Sequence, residues 1–200
     1  MIGAAAILVG GGLWWWASGE SGVDVPDRIC GGALSGKAAA EALPKQGAQY
    51  KERSDNTFGK EKQVPNVWCR TSAGGQSLLF SYWWSVSDLS SLAVENPGHT
   101  PIRLGTANGY TSGTDAELYL SCRGRSDTGA WLKVRLARGA TGAPDTSGDG
   151  QDPAHLAELV GDAARYVGKE LACEGAAGLP GEPPAIGTGS PRALAPSVRG

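Results

Sequence analysis

The fold is decided by a short stretch, QSLLFSYWWSVS at residues 76–87. Its side chains sort with a period of two, and one alternate set is apolar throughout: Leu78, Phe80, Tyr82, Trp84 and Val86. The other set is mostly serine. Successive side chains of a β-strand point to opposite faces of a sheet. The stretch therefore predicts a strand with one face in the core and the other turned outward.

Three further segments repeat this period: VWCRTS at 67–72, AELYLSCR at 116–123 and AWLKVRLAR at 130–138. Their inward positions are Val67, Cys69, Leu118, Leu120, Cys122, Leu132, Val134 and Leu136. The pair Gly74-Gly75 is a turn signal between the first two strands. We interpret the polar stretch 56–66 and the Gly- and Thr-rich stretch 103–115 as connections.

Two segments predict helices. In LSGKAAAEALP (34–44) Ser35 can cap the helix and Pro44 closes it. In DPAHLAELVGDAARYVGKELAC (152–173) Asp152 is the cap and Pro153 takes the first helical position. One face of this second helix is apolar, with Leu156, Leu159, Val160, Ala163, Val167 and Leu171 at helical spacing. Together these elements predict an α+β fold, an antiparallel sheet with helices packed on one face.

Four cysteines are present, Cys30, Cys69, Cys122 and Cys173. No C-x-x-C spacing or neighbouring histidine suggests a metal site, so two disulfides are favoured over buried thiols. The strand cysteines face the side where the helices pack, and the other two flank the helices. We therefore prefer the pairs Cys30–Cys69 and Cys122–Cys173, each closing a loop of roughly 40 to 50 residues and stabilising by about 4 kcal/mol. The main rival is Cys69–Cys122, a link between strands.

The first seventeen residues contain no charge and end in three tryptophans. As a helix they would measure roughly 25 Å, a marginal span of a hydrocarbon core about 30 Å thick. We predict a transmembrane anchor or signal segment at 1–17 and a linker at 18–23. The domain occupies 24–173 outside the membrane, and a Gly-, Pro- and Ala-rich tail at 174–200 is disordered. Cleavage near Gly19, which would release a secreted protein, is the alternative.

The order of cysteines in ICGGALSGKAAAEAL, VWCRTS, LYLSCRG and KELACEG resembles a set of actinobacterial membrane-anchored or secreted proteins. More distantly it is similar to the extracytoplasmic sensor domains of mycobacterial serine/threonine kinases and related lipoproteins. The resemblance covers about 27–174 and implies a fold and a location. It implies no catalytic residue, and the chain lacks both a kinase domain and a lipobox cysteine.

Patterns for catalysis, cofactors and metals are scarce in this sequence. His99 and His155 are the only histidines, and we interpret both as solvated surface residues. The run DTSGDGQD at 145–152 begins like a calcium loop, but Leu156 stands where the bidentate Glu is required. We therefore predict no catalytic residue, no metal and no cofactor. A net charge of −2 gives no reason to expect nucleic acid as a partner.

The outward strand positions do carry a pattern, because aromatic and cationic side chains share one face. The candidate ligand-binding residues are Trp68, Arg70, Trp83, Tyr119, Arg123, Trp131, Lys133 and Arg135. Indoles suit sugars or acyl chains, and cations suit phosphates or carboxylates. The alternative is a solvated face on which cationic stems cover indoles.

These observations favour a membrane-anchored, extracytoplasmic binding or sensing module that has no catalytic activity. Its expected partners are the membrane, through the N-terminal segment, and a cell-envelope polymer, lipid or protein. The alternative function is a cell-envelope hydrolase whose site no motif reveals. A cleft that gathers His99 with a serine and a carboxylate would favour the hydrolase.

Overall fold

A computed structural model describes residues 23–54, 58, 66–85, 97–122, 131–140 and 152–187. Ten strands, two α-helices and one 3₁₀ helix lie in these ranges. The strands are β1 (Arg28–Ile29), β2 (Leu34–Ser35), β3 (Lys51–Ser54), β4 (Asn66–Ala73), β5 (Gln76–Ser85), β6 (Thr100–Leu104), β7 (Ala107–Thr111), β8 (Asp115–Ser121), β9 (Trp131–Ala140) and β10 (Ala185–Ile186). The helices are α1 (Gly36–Ala42), α2 (Pro153–Glu170) and the 3₁₀ helix (Glu174–Gly178).

Eight of these strands form one antiparallel sheet in the order β10-β6-β7-β8-β9-β5-β4-β3, and β1 pairs with β2 separately. The strand at 76–85 lies inside the sheet between β4 and β9, with Phe80 opposite both Cys69 and Leu136. All three of these side chains are fully buried. The inward set of each predicted strand thus meets the inward set of its neighbours, and the α+β prediction is confirmed.

Both predicted helices form, with the predicted caps. The Ser35 hydroxyl accepts a hydrogen bond from the Ala38 amide at 3.3 Å, and the Asp152 carboxylate accepts one from the Ala154 amide at 2.9 Å. The helix α2 covers β7, β8 and β9, and α1 packs against α2. The six predicted apolar residues of the second helix are all fully buried, at Leu156, Leu159, Val160, Ala163, Val167 and Leu171.

The two disulfides are those preferred from the sequence. Cys30 bonds to Cys69 and Cys122 bonds to Cys173, with Cα–Cα distances of 5.7 and 4.3 Å. One bond ties the segment before α1 to β4, and the other ties the end of β8 to the segment after α2. All four cysteines lie in the core on the helix-covered side of the sheet.

The prediction that 174–200 is disordered is wrong for residues 174–187. The Arg165 guanidinium donates hydrogen bonds to the carbonyl oxygens of Pro180 and Glu182 at 3.0 and 3.1 Å. Pro184 is buried, and it contacts the site where Gly161 leaves room on α2. Backbone carbonyls and proline rings thus hold a segment whose composition offers few large apolar side chains. The domain therefore extends to at least residue 187, beyond the predicted boundary at 173.

Three sheet strands lie in segments that we interpreted as connections or left unassigned. The Gly- and Thr-rich stretch forms the hairpin β6–β7, with Gly105 at a positive φ of 58° in its turn. Gly109 lies opposite Leu118, and a Cβ at this position would collide with the carbonyl oxygen of Glu117. β3 carries no apolar side chain at all. β3 therefore gives sequence periodicity nothing to detect, and β6 carries only two alternating core residues, Ile102 and Leu104, before the turn at Gly105.

In the described part of the chain, no helix combines the length and apolarity that crossing a bilayer requires. The predicted segment at 1–17, the linker up to residue 22, the acidic run 145–151 and the tail beyond 187 lie outside the described residues.

Candidate functional site

The sheet face opposite the helices carries a groove of about 580 Å³ across four neighbouring strands. The residues that line this groove are Arg53, Trp68, Arg70, Leu79, Ser81, Trp83 and Arg135. Ser81 is paired with Trp68 on one side and with Arg135 on the other. The serine is small, so the depression opens between larger neighbours.

Two arginines of the groove face each other directly. Arg53 on β3 is the register partner of Arg70 on β4, and both residues are exposed. Within the described ranges, neither guanidinium has a hydrogen-bond or ion-pair partner. None of the described residues that line the groove is acidic. Among the described residues, this end of the face therefore presents positive charge that no acidic side chain neutralises.

On the neighbouring strands, by contrast, acidic side chains pair with the cations. These acids and their hydrogen-bond partners are here called the acid cluster: Asp115 and Glu117 with Tyr110, Ser112 and Tyr119. The buried Glu117 carboxylate lies 2.7 Å from the Lys133 ammonium and 3.9 Å from Arg135 Nε. The Asp115 carboxylate lies 3.3 Å from Arg135 Nη2. Lys133 and Arg135 are therefore neutralised by acids from β8.

The acid cluster also positions one wall of the groove. The Lys133 ammonium lies 4.7 Å from the centre of the Trp83 ring and 5.2 Å from that of Tyr119. The Tyr119 hydroxyl donates to Glu117 at 2.6 Å. Lys133 is held by the carboxylate and contacts the Trp83 indole through a cation–π interaction. The acid cluster thus fixes the orientation of an aromatic side chain that faces the groove.

Two groups of the acid cluster, Asp115 and Tyr110, have shifted pKa values. Burial would raise the pKa of the Asp115 carboxyl, but hydrogen bonds from Ser112 and Tyr110 and the Arg135 charge outweigh burial and lower it. Burial, followed by the hydrogen bond to Asp115, raises the pKa of Tyr110 above its ordinary range. A general acid or base works best with a pKa near the operating pH. Neither group meets that requirement.

His99 lies beside the acid cluster, where its ring stacks on Tyr110 at 3.9 Å with an interplanar angle of 3°. The side chain is half-buried, so solvent reaches part of it. A serine and a carboxylate are close by, but the Ser112 hydroxyl donates directly to Asp115 at 2.6 Å. A hydrolytic triad needs that hydroxyl to donate to the imidazole. His155 is also half-buried, in the first turn of α2.

The structure brings together four of the eight predicted site residues, because Trp68, Arg70, Trp83 and Arg135 all line the groove. Lys133 lies beside them under Trp83. The other three predicted residues are Tyr119, Trp131 and Arg123. Tyr119 is on the predicted face but only 1% exposed, so it supports the face from within. Trp131 pairs with Ser85 and Ser121 and does not line the groove, and Arg123 lies outside the described residues.

Sequence reasoning missed Arg53 as a site residue. It missed this residue because β3 was not predicted, and the only signal is the alternation that places Lys51 and Arg53 on one face of four polar residues. Leu79 and Ser81 were placed on the outer face but not selected, since neither has a side chain typical of recognition sites.

Neither a metal site among the described residues nor a related protein indicates a function for this site. Across the described ranges, no three His, Cys, Asp or Glu side chains converge in a way that could hold a metal ion. Comparison of the chain with protein-family models, with curated proteins and with solved structures finds no match in any of the three.

Proposed function

We propose that this protein is a non-catalytic binding or sensing module that works outside the cytoplasmic membrane. In this proposal the segment 1–17 tethers it to the membrane, and the groove binds an anionic component of the cell envelope. The observation that carries the proposal is the charge of the groove: Arg53 and Arg70 are exposed, no acid in the described ranges pairs with them, and two indoles lie on the same surface. Arginine forks bind carboxylates and phosphates, and indoles bind the faces of sugars.

The two disulfides support an extracytoplasmic location. Both are buried and pair all four cysteines of the chain. Such bonds persist mainly in oxidising compartments, and reducing agents in the cytosol oppose them. An envelope location in turn supplies abundant anionic polymers and lipids as potential ligands.

The contacts available in the groove are sufficient for useful affinity. A well-desolvated aromatic or arginine contact contributes one to a few kcal/mol, and micromolar binding requires about −8 kcal/mol. Three guanidinium groups and two indoles can reach that value only if the ligand excludes water from several of them. We therefore expect a ligand large enough to fill the groove between Trp68 and Trp83.

The hydrolase alternative is less well supported by the same face. It would depend on the acid cluster and His99, yet the Ser112 hydroxyl is committed to Asp115. The lowered pKa of Asp115 makes this carboxylate a weak base. The groove, by contrast, is built for binding without needing any proton transfer.

Titration of the full chain in nonionic detergent with poly(glycerol phosphate), polygalacturonate and neutral dextran tests the proposal. We expect one or both anionic polymers to bind more tightly than dextran, and binding to weaken as salt rises. Trp83→Ala should weaken binding about tenfold. Trp131→Ala is the matched control, because Trp131 is also half-buried on this face but does not line the groove. Binding of neither anionic polymer, or equal losses in the two variants, would overturn the proposal.

A further inference from the structure

Arg53 and Arg70 form a like-charge pair across two antiparallel strands. They are direct register partners on the groove face, next to the sheet edge formed by β3. Like charges in directly opposite positions destabilise a sheet. Elsewhere on the same face the protein places an acid under its cations, as Glu117 does for Lys133. Among the described residues no acid compensates this pair in the groove, which leaves it open to an external source of negative charge.

The local geometry narrows the chemistry of that source. A carboxylate is planar and is satisfied by one guanidinium fork, whereas a phosphate monoester has three terminal oxygens and nearly two negative charges. Arg135 lines the same groove, and its side chain is 43% exposed although it contacts Asp115. The two guanidinium groups of Arg53 and Arg70, with the partly exposed but acid-paired Arg135 in the same depression, match the larger and more highly charged group better than they match a carboxylate.

The remaining lining indicates what the phosphate is attached to. Trp68 and Trp83 line the groove, and both are half-buried. Ser81 lies between Trp68 and Arg135 in the register, so a hydroxyl group and open space lie next to the cations. An attached sugar or apolar group can contact the indoles while the phosphate contacts the arginines.

We propose that the groove is a phosphate-monoester site in which Arg53 and Arg70 together hold the dianion and Trp68 and Trp83 contact the group that carries it. This inference rests on the proposed binding function and names its ligand class. The phosphate belongs to a sugar or to a lipid headgroup, and both sources share the recognised chemistry. Ligand charge replaces the missing acid, so binding also relieves the repulsion between the two arginines.

Thermal unfolding of the full chain in nonionic detergent tests the inference, because a ligand that binds the native state raises Tm. The soluble probe is glucose 1-phosphate with glucose as its control. The lipid probe is phosphatidic acid doped into the micelles, with phosphatidylcholine as its control. We expect at least one phosphate probe to raise Tm by about 5 °C when in large excess over its Kd, and neither control to do so. The phosphate probe that raises Tm shows whether the recognised phosphate belongs to a sugar or to a lipid headgroup.

Charge-removing variants assign the effect to the pair. Arg53→Met and Arg70→Met keep an apolar stem and should each weaken the apparent affinity about tenfold. Lys51→Met is the matched control, because Lys51 is exposed on the same strand and face but does not line the groove. It should leave the affinity within about twofold of the parent. No Tm shift with either phosphate probe, or an equal loss in all three variants, would overturn the inference. Binding of polygalacturonate through Trp83 would still support the broader proposed function in that case.

Discussion

The outer face of the sheet has two regions that treat cations in opposite ways. On β8 and β9, the buried Glu117 and Asp115 lie beneath Lys133 and Arg135 at 2.7 and 3.3 Å. On β3 and β4, Arg53 and Arg70 face each other without an acid among the residues described. The first region is a closed network of hydrogen bonds and ion pairs. The second is exposed charge beside a depression.

The difference separates the cations that stabilise the fold from those to which we propose a binding role. A buried carboxylate that lost its cation would be costly, so the acid cluster and its partners depend on one another. Exposed arginines contribute little to stability and here oppose each other, which is why we propose an external anion as their partner. On this sheet face, the contribution of a cation to stability therefore depends on whether an acid lies beneath it.

Glu117→Gln should produce the largest loss of stability on this face. The change removes a buried charge that pairs with Lys133 and accepts a hydrogen bond from the Tyr119 hydroxyl, so Lys133 loses its counter-ion at 16% side-chain exposure. We expect a loss of about 3 kcal/mol in the free energy of unfolding. Urea denaturation measures it, with Glu41→Gln on the exposed side of α1 as the control. A loss as small as that of the control would show that the acid cluster is not a stabilising network.

Asp115→Asn should have a smaller effect that depends on pH. The pKa of Asp115 is lowered in the folded state, so the ionised carboxylate stabilises the fold above its ordinary pKa and that stabilisation is lost as pH falls. At pH 7 we expect the variant to lose about 2 kcal/mol. The gap to the parent should narrow on acidification below about pH 4. Urea denaturation at several pH values measures this, and a gap that stays constant between pH 7 and pH 3 would contradict the account.

Sequence periodicity was sufficient for the parts of the molecule where apolar burial decides the structure. The strand at 76–85, both helices with their caps and the disulfide pairing all follow from alternating or helical spacing of side chains such as Phe80, Cys69 and Val160. These contacts are repeated along each element, so the pattern is visible without a structure.

The elements that the sequence did not predict are mostly those held in place by polar or backbone groups. β3 pairs through its backbone and has no apolar residue, so Arg53 could not be placed opposite Arg70. The segment 179–187 is held by carbonyl oxygens that accept from Arg165 and by one buried proline. The acid cluster depends on Tyr110, which lies in a stretch that reads as a loop. Single contacts of this kind leave no periodic signal.

A double-mutant cycle on Arg53 and Arg70 tests directly whether this pair is kept for an external anion. The free energy of unfolding is measured by urea denaturation for the parent, Arg53→Met, Arg70→Met and the double variant, at low salt in chloride. We predict an unfavourable coupling of about 0.5 kcal/mol between the two arginines, because either single change relieves the same repulsion. Addition of inorganic phosphate should abolish that coupling or make it favourable. A coupling that is zero or favourable in chloride, or one that phosphate leaves unchanged, would contradict the claim that this pair is kept for an external anion.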